Sequence, residues 1–421
     1  MLRAMFSGVT GLRAHQTMMD VIGNNIANIN TIGFKTGRAR FAEQFSQLLQ
    51  AASPGSGTQG GTNPMQIGMG TGVAGIDNFF GQGTLENTGL GTDLAIQGDG
   101  FFILGSGGGQ QYTRAGAFSF DAQGRLVDPG TGKVVQGYMA DAAGTIAPGT
   151  ALSDLRISTD ATASAKPTTQ MEVHGNLDAG AAAGTNVDVT TTVYDSRGNK
   201  HSLTLRLTKD ATSPLVWNVT IPTPPTGYTA TGGAGALTFN TDGTLNTSSV
   251  TDLTLAPSPA NGAADIVVKL ATTTSPAYNP FGTMTSSAGD TTAFVFSQDG
   301  YSAGNLVRTS IDSQGHVVGS FSNGVTRTLA QVALARFIND AGLTKGNGNS
   351  WEESLNSGRA VVGSAGSGSF GSISAGALEG SNVDLASEFT DLITAQRGFQ
   401  ANARMITTGD ELLSEVVNIK R

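Results

Sequence analysis

The sequence has little charge, few aromatic residues and no cysteine. Of its 421 residues, 13% are charged and 6% are aromatic, whereas about 25% of the residues in a typical globular domain are charged. Without cysteine the chain can form no disulfide, no thiolate nucleophile and no cysteine-based metal site. The 24 basic and 32 acidic residues give a net charge of −8, which argues against non-specific nucleic-acid binding, because that requires clustered Lys and Arg.

Long apolar runs are also missing. No segment approaches the roughly 20 apolar residues that a membrane helix needs. The N-terminus has a basic residue, Arg3, but polar residues or glycine interrupt it every few positions, unlike the apolar core of a secretory signal. We therefore expect no membrane insertion and no cleaved signal peptide. Glycine is abundant, with 59 residues, and it follows no Gly-x-y period, so the composition indicates many turns between short strands.

The first thirty residues show the spacing of an amphipathic helix. Their apolar residues alternate at intervals of three and four, which places them on one heptad-like face. Gly8, Gly11 and Gly23 each weaken a helix by up to about 1 kcal/mol relative to alanine, so we expect this helix to be marginal alone. The residues of the face are Leu2, Met5, Val9, Leu12, Met19 and Ile26.

The C-terminus predicts a longer helix, from about residue 384 to 419. Ser381 or Asn382 is expected to cap it, with Asp384 completing a capping box. One apolar row recurs every seven residues, and Phe389 lies in the companion row. The residues of the main row are Leu385, Leu392, Phe399, Ile406 and Leu413.

The pattern in the middle of the chain predicts antiparallel β structure. Apolar residues alternate with polar ones at 187–193, 203–207 and 215–221, which is typical of half-buried strands. A turn pattern of Asp or Asn followed three residues later by Gly recurs at 120–126, 239–245 and 311–317, with a looser copy from 194. The copies are unequally spaced, so they indicate repeated hairpins rather than a solenoid.

This order predicts an α+β multidomain fold. Coiled-coil-like N- and C-terminal helices pair with each other, and mostly antiparallel β domains are nested between them. The expected segments are an N-terminal helix at 1–30, an irregular or extended arm at 31–75, the first part of a β-rich domain at 76–152, an inserted outer β domain at 153–292, the second part of the β-rich domain at 293–375 and a C-terminal helix at 376–421.

No motif indicates catalysis, a cofactor or a metal. The four histidines His15, His174, His201 and His316 are scattered without metal-ligand spacing. Residues 366–371 match GxGxxG by letter, but a dinucleotide loop needs a strand before it and a helix that opens on it. Here more Gly and Ser precede the segment and residues 373–376 (ISAG) follow it, so we expect a flexible Gly/Ser segment. We therefore expect a protein that is not an enzyme and binds no cofactor or metal.

Three blocks of sequence resemble a known family. The segment 23–35 (GNNIANINTIGFK) is similar to the N-terminal signature of the bacterial flagellar rod and hook proteins. Residues 88–102 and the C-terminal blocks at 382–385, 394–404 and 407–413 resemble the other signatures of that family, with Phe399 where the family usually has Tyr. The motif residues carried over are Asn24, Asn25, Asn28, Gly33, Phe34, Asp99, Gly100, Phe101, Gln396, Arg397 and Asn402.

The chain's length and its β-rich middle resemble the hook members of the family more than the shorter rod members. The resemblance implies a structural subunit that self-assembles into a helical tube, a flexible joint that transmits torque between rod and filament. It also implies export by the flagellar type III apparatus to the extracellular hook-basal body. The implied partners are many copies of the chain and the rod, hook cap and hook–filament junction proteins. The residues expected to take part in self-assembly are the apolar face of the N-terminal helix, the main apolar row of the C-terminal helix and Phe389. A distal rod protein, a secreted β-rich adhesin and a carbohydrate-active enzyme remain as alternatives.

Overall fold

The computed structural model describes residues 2–55, 57, 60–106, 109–147, 150–158, 160–257, 264–270 and 279–419. The described chain is mostly β, with one helix near each end. Helix α1 spans Leu2–Ala27 and helix α2 spans Leu385–Ile419. The bounds of α2 confirm the helix that the seven-residue apolar spacing predicts.

The chain divides into two compact units. Unit one contains Met1–Ser158, Thr309–Val318 and Arg327–Arg421, and unit two contains Thr159–Arg308 and Gly319–Thr326. Unit two is therefore inserted in the sequence of unit one. Its bounds differ from the expected 153 and 292, and at the C-terminal side the reason is strand pairing, because Met171–Asn176 pairs with Phe294–Gln298.

The strands are short and are numbered along the chain. Unit one begins with β1 Gly37–Glu43, β2 Ser46–Gln50, β3 Met65–Gly68, β4 Thr71–Asn78, β5 Leu85–Asn87, β6 Leu94–Gln97, β7 Phe101–Ser106, β8 Gly109–Thr113, β9 Ser119–Phe120, β10 Leu126–Val127, β11 Val134–Met139 and β12 Ser153–Asp154. Unit two contains β13 Thr162–Ala163, β14 Met171–Asn176, β15 Asn186–Tyr194, β16 Lys200–Lys209, β17 Val216–Thr220, β18 Tyr228–Gly232, β19 Gly235–Phe239, β20 Leu245–Ser248, β21 Leu253–Pro257, β22 Ile266–Val268, β23 Met284–Thr285 and β24 Phe294–Gln298.

The division between the units falls within or beside the next three strands, β25 Gly304–Ile311, β26 His316–Phe321 and β27 Thr326–Arg336. A 3₁₀ turn at Asp340–Gly342 and five short strands complete unit one. These strands are β28 Thr344–Lys345, β29 Ser350–Glu352, β30 Val361–Ser364, β31 Ser372–Ala375 and β32 Ala377–Glu379.

Unit one is built on an antiparallel sheet. Its strands run in the order β11-β7-β8-β29-β28, and β27 pairs with both β11 and β7. Trp351 is fully buried in its core, and the ring of Phe80 meets it edge-on at 4.8 Å between centroids. The core residues are Phe101, Ile103, Tyr112, Ala333, Ala335, Phe337, Leu343 and Trp351.

Residues 37–78 form paired strands rather than the irregular or extended arm expected at 31–75. Strand β1 pairs with β4 along its whole length, and β2 pairs with β3. Both strands of the β2–β3 ladder are exposed on both faces. The alternation of apolar and polar residues that marks a half-buried strand is therefore absent from them, which explains why the pattern gave no strand there.

Unit two has a separate core. A five-stranded antiparallel sheet runs in the order β15-β16-β17-β19-β20, and its first three strands match the predicted alternating segments. Two three-stranded sheets accompany it, β18-β21-β22 and β23-β14-β24, and the β23–β14 pairing is parallel. The fully buried Trp217 lies in the core that these sheets share.

The predicted turns are present. Phe120 pairs with Leu126 and Phe239 with Leu245 across the first two of them. In the turn at Asp195, one carboxylate oxygen accepts hydrogen bonds from the N–H groups of residues 197 and 199, at 2.9 and 2.8 Å. This bonding explains the shared pattern, because aspartate closes such a turn locally and the following glycine adopts a positive φ, as Gly198 does at 84°.

Asp195 should make the stability of unit two depend on pH. Burial acts to raise its pKa, but hydrogen bonds from Asn199, His201 and the backbone outweigh burial and lower the pKa to about 2. The stabilisation is therefore present above the unfolded-state pKa of about 3.9 and is lost as the pH falls towards 2. We expect Asp195→Asn to destabilise unit two by about 2 kcal/mol at pH 7.

Urea unfolding of a Trp351→Phe background, followed by Trp217 fluorescence, measures this difference. The difference in the free energy of unfolding between the wild type and Asp195→Asn should decrease as the pH is lowered from 5 to 2. A difference that stayed constant over that range would show that the carboxylate charge contributes nothing to the stability of unit two.

Candidate assembly surface

Helices α1 and α2 pack against each other in antiparallel orientation. Gly11 of α1 faces Asn402, and Gly398 of α2 faces His15. A Cβ atom at Gly11 would lie 2.7 Å from the Asn402 amide nitrogen, and one at Gly398 would lie 2.5 Å from the His15 ring. The glycines therefore let the two helices approach closely, at the cost in helix propensity that the sequence predicts.

The seam on α1 is shifted by one position from the predicted apolar face. Its most buried residues are Gly8, Gly11, Ala14, Ile22 and Asn25. Within the predicted face, Val9 is exposed and Met5, Leu12, Met19 and Ile26 are half-buried. Leu2 is the first residue of the helix. The predicted face therefore lies beside the internal seam and keeps apolar surface available.

On α2 the main apolar row borders the seam, but the positions that contact α1 are polar or small. Leu392, Ile406 and Leu413 are half-buried, whereas Leu385 is 39% and Phe399 36% exposed. The positions that contact α1 lie one residue before the predicted companion row and are Glu388, Ala395, Asn402 and Gly409. Phe389, predicted for that companion row, is 50% exposed, because the contact follows the small residues one position earlier.

The cap of α2 is Asp384, not Ser381 or Asn382 as the sequence suggested. The Asp384 carboxylate accepts a hydrogen bond from the Ala386 N–H at 2.9 Å, and the helix begins at Leu385. An N-cap residue must directly precede the first helical residue. Asn382 instead joins two other segments, since it accepts from the Thr36 N–H at 2.8 Å and donates to the Phe79 carbonyl at 2.8 Å.

The end of α1 is joined to the start of α2 by hydrogen bonds. The Asn25 side chain donates to the Gly37 carbonyl at 2.8 Å and to a Glu388 carboxylate oxygen at 3.0 Å, and it accepts from the Gly37 N–H. Thr36 also donates to Glu388. The two helix ends and the start of the β1 strand therefore share one polar junction.

A buried ionic triad lies behind this junction. Glu379 accepts from the Lys35 ammonium at 2.6 Å and from the Arg114 guanidinium at 3.3 Å, and its side chain and that of Lys35 are fully buried. The Gly83 N–H also donates to this carboxylate. Burial lowers the pKa of Lys35, and the ion pair with Glu379 opposes that effect. The sequence reasoning missed the triad.

Gly33 explains part of the N-terminal motif. Its φ is 66°, and an added Cβ would lie 2.5 Å from the Ala115 nitrogen. Its N–H donates to the Glu379 carbonyl at 2.7 Å. A residue with a side chain would be strained here and would also clash. Phe34, which follows, is buried beneath the Lys345 ammonium, 4.6 Å from the ring centre.

The remaining motif residues fall into structural and exposed groups. Asn28 follows the end of α1 and donates to the Asn24 carbonyl at 2.9 Å, while the Asn24 side chain itself is exposed. Phe101 is buried in the core, and the Asp99 carbonyl accepts from the Gly371 N–H. Gly100 has a φ of 138°. Gln396 and Arg397 are exposed on α2.

The paired strands β1–β4 carry a further set of exposed apolar side chains, which the sequence reasoning did not single out. Its members lie on both ladders and on the connections between them, where Phe45 is 73% exposed. Their signal in the sequence is a clustering of large apolar residues within a segment that otherwise reads as polar and Gly-rich. The residues are Phe41, Phe45, Leu48, Leu49, Met65, Ile67, Met69, Val73 and Ile76.

No group of three His, Asp or Glu side chains in the described ranges is arranged to hold a metal ion. None of the helices in the described part of the chain is long and apolar enough to cross a membrane. The geometry at the junction is that of a packed structural element.

Four family descriptions match successive parts of the chain. They are the flagella basal body rod protein at residues 5–35, the flagellar hook protein FlgE/F/G D1 domain at 95–165, the flagellar basal body protein FlaE D2 domain at 159–301 and the flagellar basal body rod FlgEFG protein C-terminal at 374–419. The matches cover both terminal helices and most of unit two. They define a structural protein of the flagellar rod-and-hook class.

Full-length relatives narrow this class. The chain is 40% identical to the flagellar hook protein FlgE of Borreliella burgdorferi and 38% identical to that of Treponema pallidum, over 100% of each chain. It is 36% identical to that of Escherichia coli over 99% of this chain and 100% of that one. A crystal structure of Helicobacter pylori FlgE2 aligns at 17% identity, with a TM-score of 0.48, over 68% of this chain and 98% of that chain.

The chain belongs to the flagellar hook protein family. It is a structural subunit of the hook and not an enzyme, and the distal rod alternative is not favoured. Membership implies polymerisation within the hook and association with the flagellar basal body.

Proposed function

We propose that copies of this chain pack through the α1–α2 pair and the β1–β4 strands into a helical tube, which serves as the bendable, torque-transmitting joint between rod and filament. The observation that carries the proposal is the exposed apolar surface on these elements. Phe6 of α1 is 67% exposed and Val417 of α2 is 69% exposed. Large exposed apolar patches mark surfaces that bind other molecules.

The helix pair supports a coiled-coil-like layer between copies. The predicted apolar rows border the internal seam, and their half-exposed side chains recur at heptad spacing along both helices. Side chains in such rows can insert as knobs into the holes between side chains of a neighbouring helix. A contact between different surfaces of neighbouring copies generates a helical filament when its rotation does not close into a ring, and the proposed tube requires a contact of this open kind.

The β2–β3 ladder gives a second reason for assembly. A lone two-stranded ladder is marginally stable in water, and this one exposes Leu48, Leu49 and Ile67. An exposed apolar ladder with unpaired edges is prone to association. Packing of the ladder on a neighbouring copy would bury these side chains.

The partners at the ends of the tube are proposed from the family relationship. They are the rod, the hook cap and the hook–filament junction proteins, and the subunit is proposed to leave the cell through the flagellar type III apparatus without a cleaved signal peptide. Electron microscopy of the purified full chain at increasing concentration tests the central proposal. We expect tubes, and particles that stay monodisperse at every concentration would contradict it.

Phe399→Ala should impair assembly while the β cores of the isolated monomer, which do not include Phe399, stay folded. Phe399 is 36% exposed in the single chain, so burial of the remainder in a polymer would contribute about 1 kcal/mol per copy. This corresponds to an approximately fivefold rise in the concentration needed for assembly. Sedimentation of tubes across a concentration series measures the shift, and thermal melting measures monomer stability.

Val307→Ala is the matched control for Phe399→Ala, because Val307 is also exposed but lies in β25 of unit two. The control should leave the assembly concentration unchanged. If Phe399→Ala lowered the melting temperature sharply and left assembly intact, Phe399 would be part of an internal core only.

A further inference from the structure

Exposed charges on the α1–α2 pair change sign along its length, with Asp20 and Asp391 on one side of a group of arginines and three carboxylates on the other side. Gly11 faces Asn402 and His15 faces Gly398, so Arg13 lies at the level between these contacts. Arg397 and Arg404 lie on α2 on either side of that level. We name Arg13, Arg397 and Arg404 the basic band.

The segment 410–415 of α2 is acidic. It carries Asp410, Glu411 and Glu415, all exposed, and we name these three the acidic band. Met5 faces Gly409, so Arg3 is the basic residue at this level. The centres of the two bands on α2 are about twelve residues apart, or roughly 18 Å at 1.5 Å per residue.

None of the six side chains in the two bands forms an ion pair within the described part of the chain. Other exposed charges in the same chain are paired, as Arg40 is with Asp77 at 2.6 Å and Arg206 with Asp188 at 2.6 Å. The separation of the bands exceeds the Debye length of about 8 Å at physiological salt. Each band therefore acts as a separate charged patch that faces outward.

We propose that the basic band of one copy docks against the acidic band of a neighbouring copy, so that adjacent helix pairs are staggered along their axes by roughly 18 Å. This inference rests on the proposed assembly through the helix pair. Pairing without stagger would place arginines beside arginines and carboxylates beside carboxylates, which repel. The staggered contact would also bring together exposed apolar residues from the two zones, Phe399 and Met405 from one and Leu412 and Val416 from the other.

Charge reversal tests the docking. Arg397→Glu with Arg404→Glu reverses the basic band, and Asp410→Lys with Glu411→Lys reverses the acidic band. Each double variant of the full chain should need at least a tenfold higher concentration to form tubes. The fourfold variant, in which both bands are reversed, should assemble within about threefold of the wild-type concentration, because the bands are again opposite in sign.

Three measurements make the result decisive. Thermal melting should give the same monomer stability for all variants, and Asp290→Lys, at an exposed position in unit two, should assemble like the wild type. Raising the salt concentration should weaken wild-type assembly. Wild-type assembly by either double variant, or a fourfold variant no better than the double variants, would overturn the docking. If the wild type forms no tubes, the proposed function itself fails.

Discussion

Replacing Trp217 with alanine should unfold unit two and leave unit one folded. Trp217 is fully buried in the core of unit two, and its indole N–H has no hydrogen-bond partner among the described residues. Removing a buried tryptophan side chain costs about 3–5 kcal/mol, a large fraction of the stability of an ordinary domain. Because unit two has its own core, this loss should not extend to the sheet around Trp351.

The chain offers an internal reporter for this experiment. It contains two tryptophans, and one lies in each core. In the Trp217→Ala variant, fluorescence therefore reports unit one alone, and circular dichroism reports the loss of β structure in unit two. The matched control is Trp351→Ala, which should unfold unit one and leave Trp217 fluorescence native. If each substitution instead unfolded both units together, the two units would fold as one.

The sequence predicted the parts of the fold that depend on local spacing. The seven-residue row from Leu385 to Leu413 gave α2 nearly to the residue, because one face of a regular helix must meet another surface. The aspartate–glycine turns were equally local, since the Asp195 side chain bonds the backbone within four residues. Such features need no knowledge of distant parts of the chain.

The seam between the helices could not be predicted in the same way. Apolar residues suggested the face with Val9, whereas the internal contact uses Gly8 and Gly11. Close approach of two helices depends on small side chains on one helix and their fit to Asn402 or Ile406 on the other. A hydropathy pattern carries no information about that fit. The predicted role of the apolar rows in self-assembly therefore stays a prediction.

The ionic triad was hidden for a different reason. Lys35 and Glu379 are 344 residues apart in the sequence, and Arg114 lies on a third segment. No local period links them, and lysine, arginine and glutamate are usually exposed. Only the fold places them together, beside the residues that connect the end of α1 to the start of α2.

Replacing Glu379 with alanine should destabilise unit one by about 3–5 kcal/mol, because it leaves the buried Lys35 ammonium and the nearby Arg114 guanidinium without their counter-charge. The carboxylate also accepts a hydrogen bond from the Gly83 N–H, so its loss leaves this backbone donor without its partner as well. The effect should concentrate where residues 33–35 and 79–83 meet the segment before α2. Hydrogen exchange should therefore speed up in these segments, and Trp351 fluorescence should report a lower urea midpoint.

Two variants separate the buried charge from a general loss of packing. Asp77→Ala removes the partner of Arg40 in an exposed pair of the same unit, and it should cost less than about 1 kcal/mol. The triple variant Lys35→Met, Arg114→Leu and Glu379→Leu removes every charge of the triad, and it should recover much of the stability that Glu379→Ala loses, since a buried ion cluster can often be replaced by apolar residues. If Glu379→Ala cost no more than Asp77→Ala, the triad would not hold the helix ends in place. If the triple variant were far less stable than Glu379→Ala, packing rather than unpaired charge would be the cause of the loss.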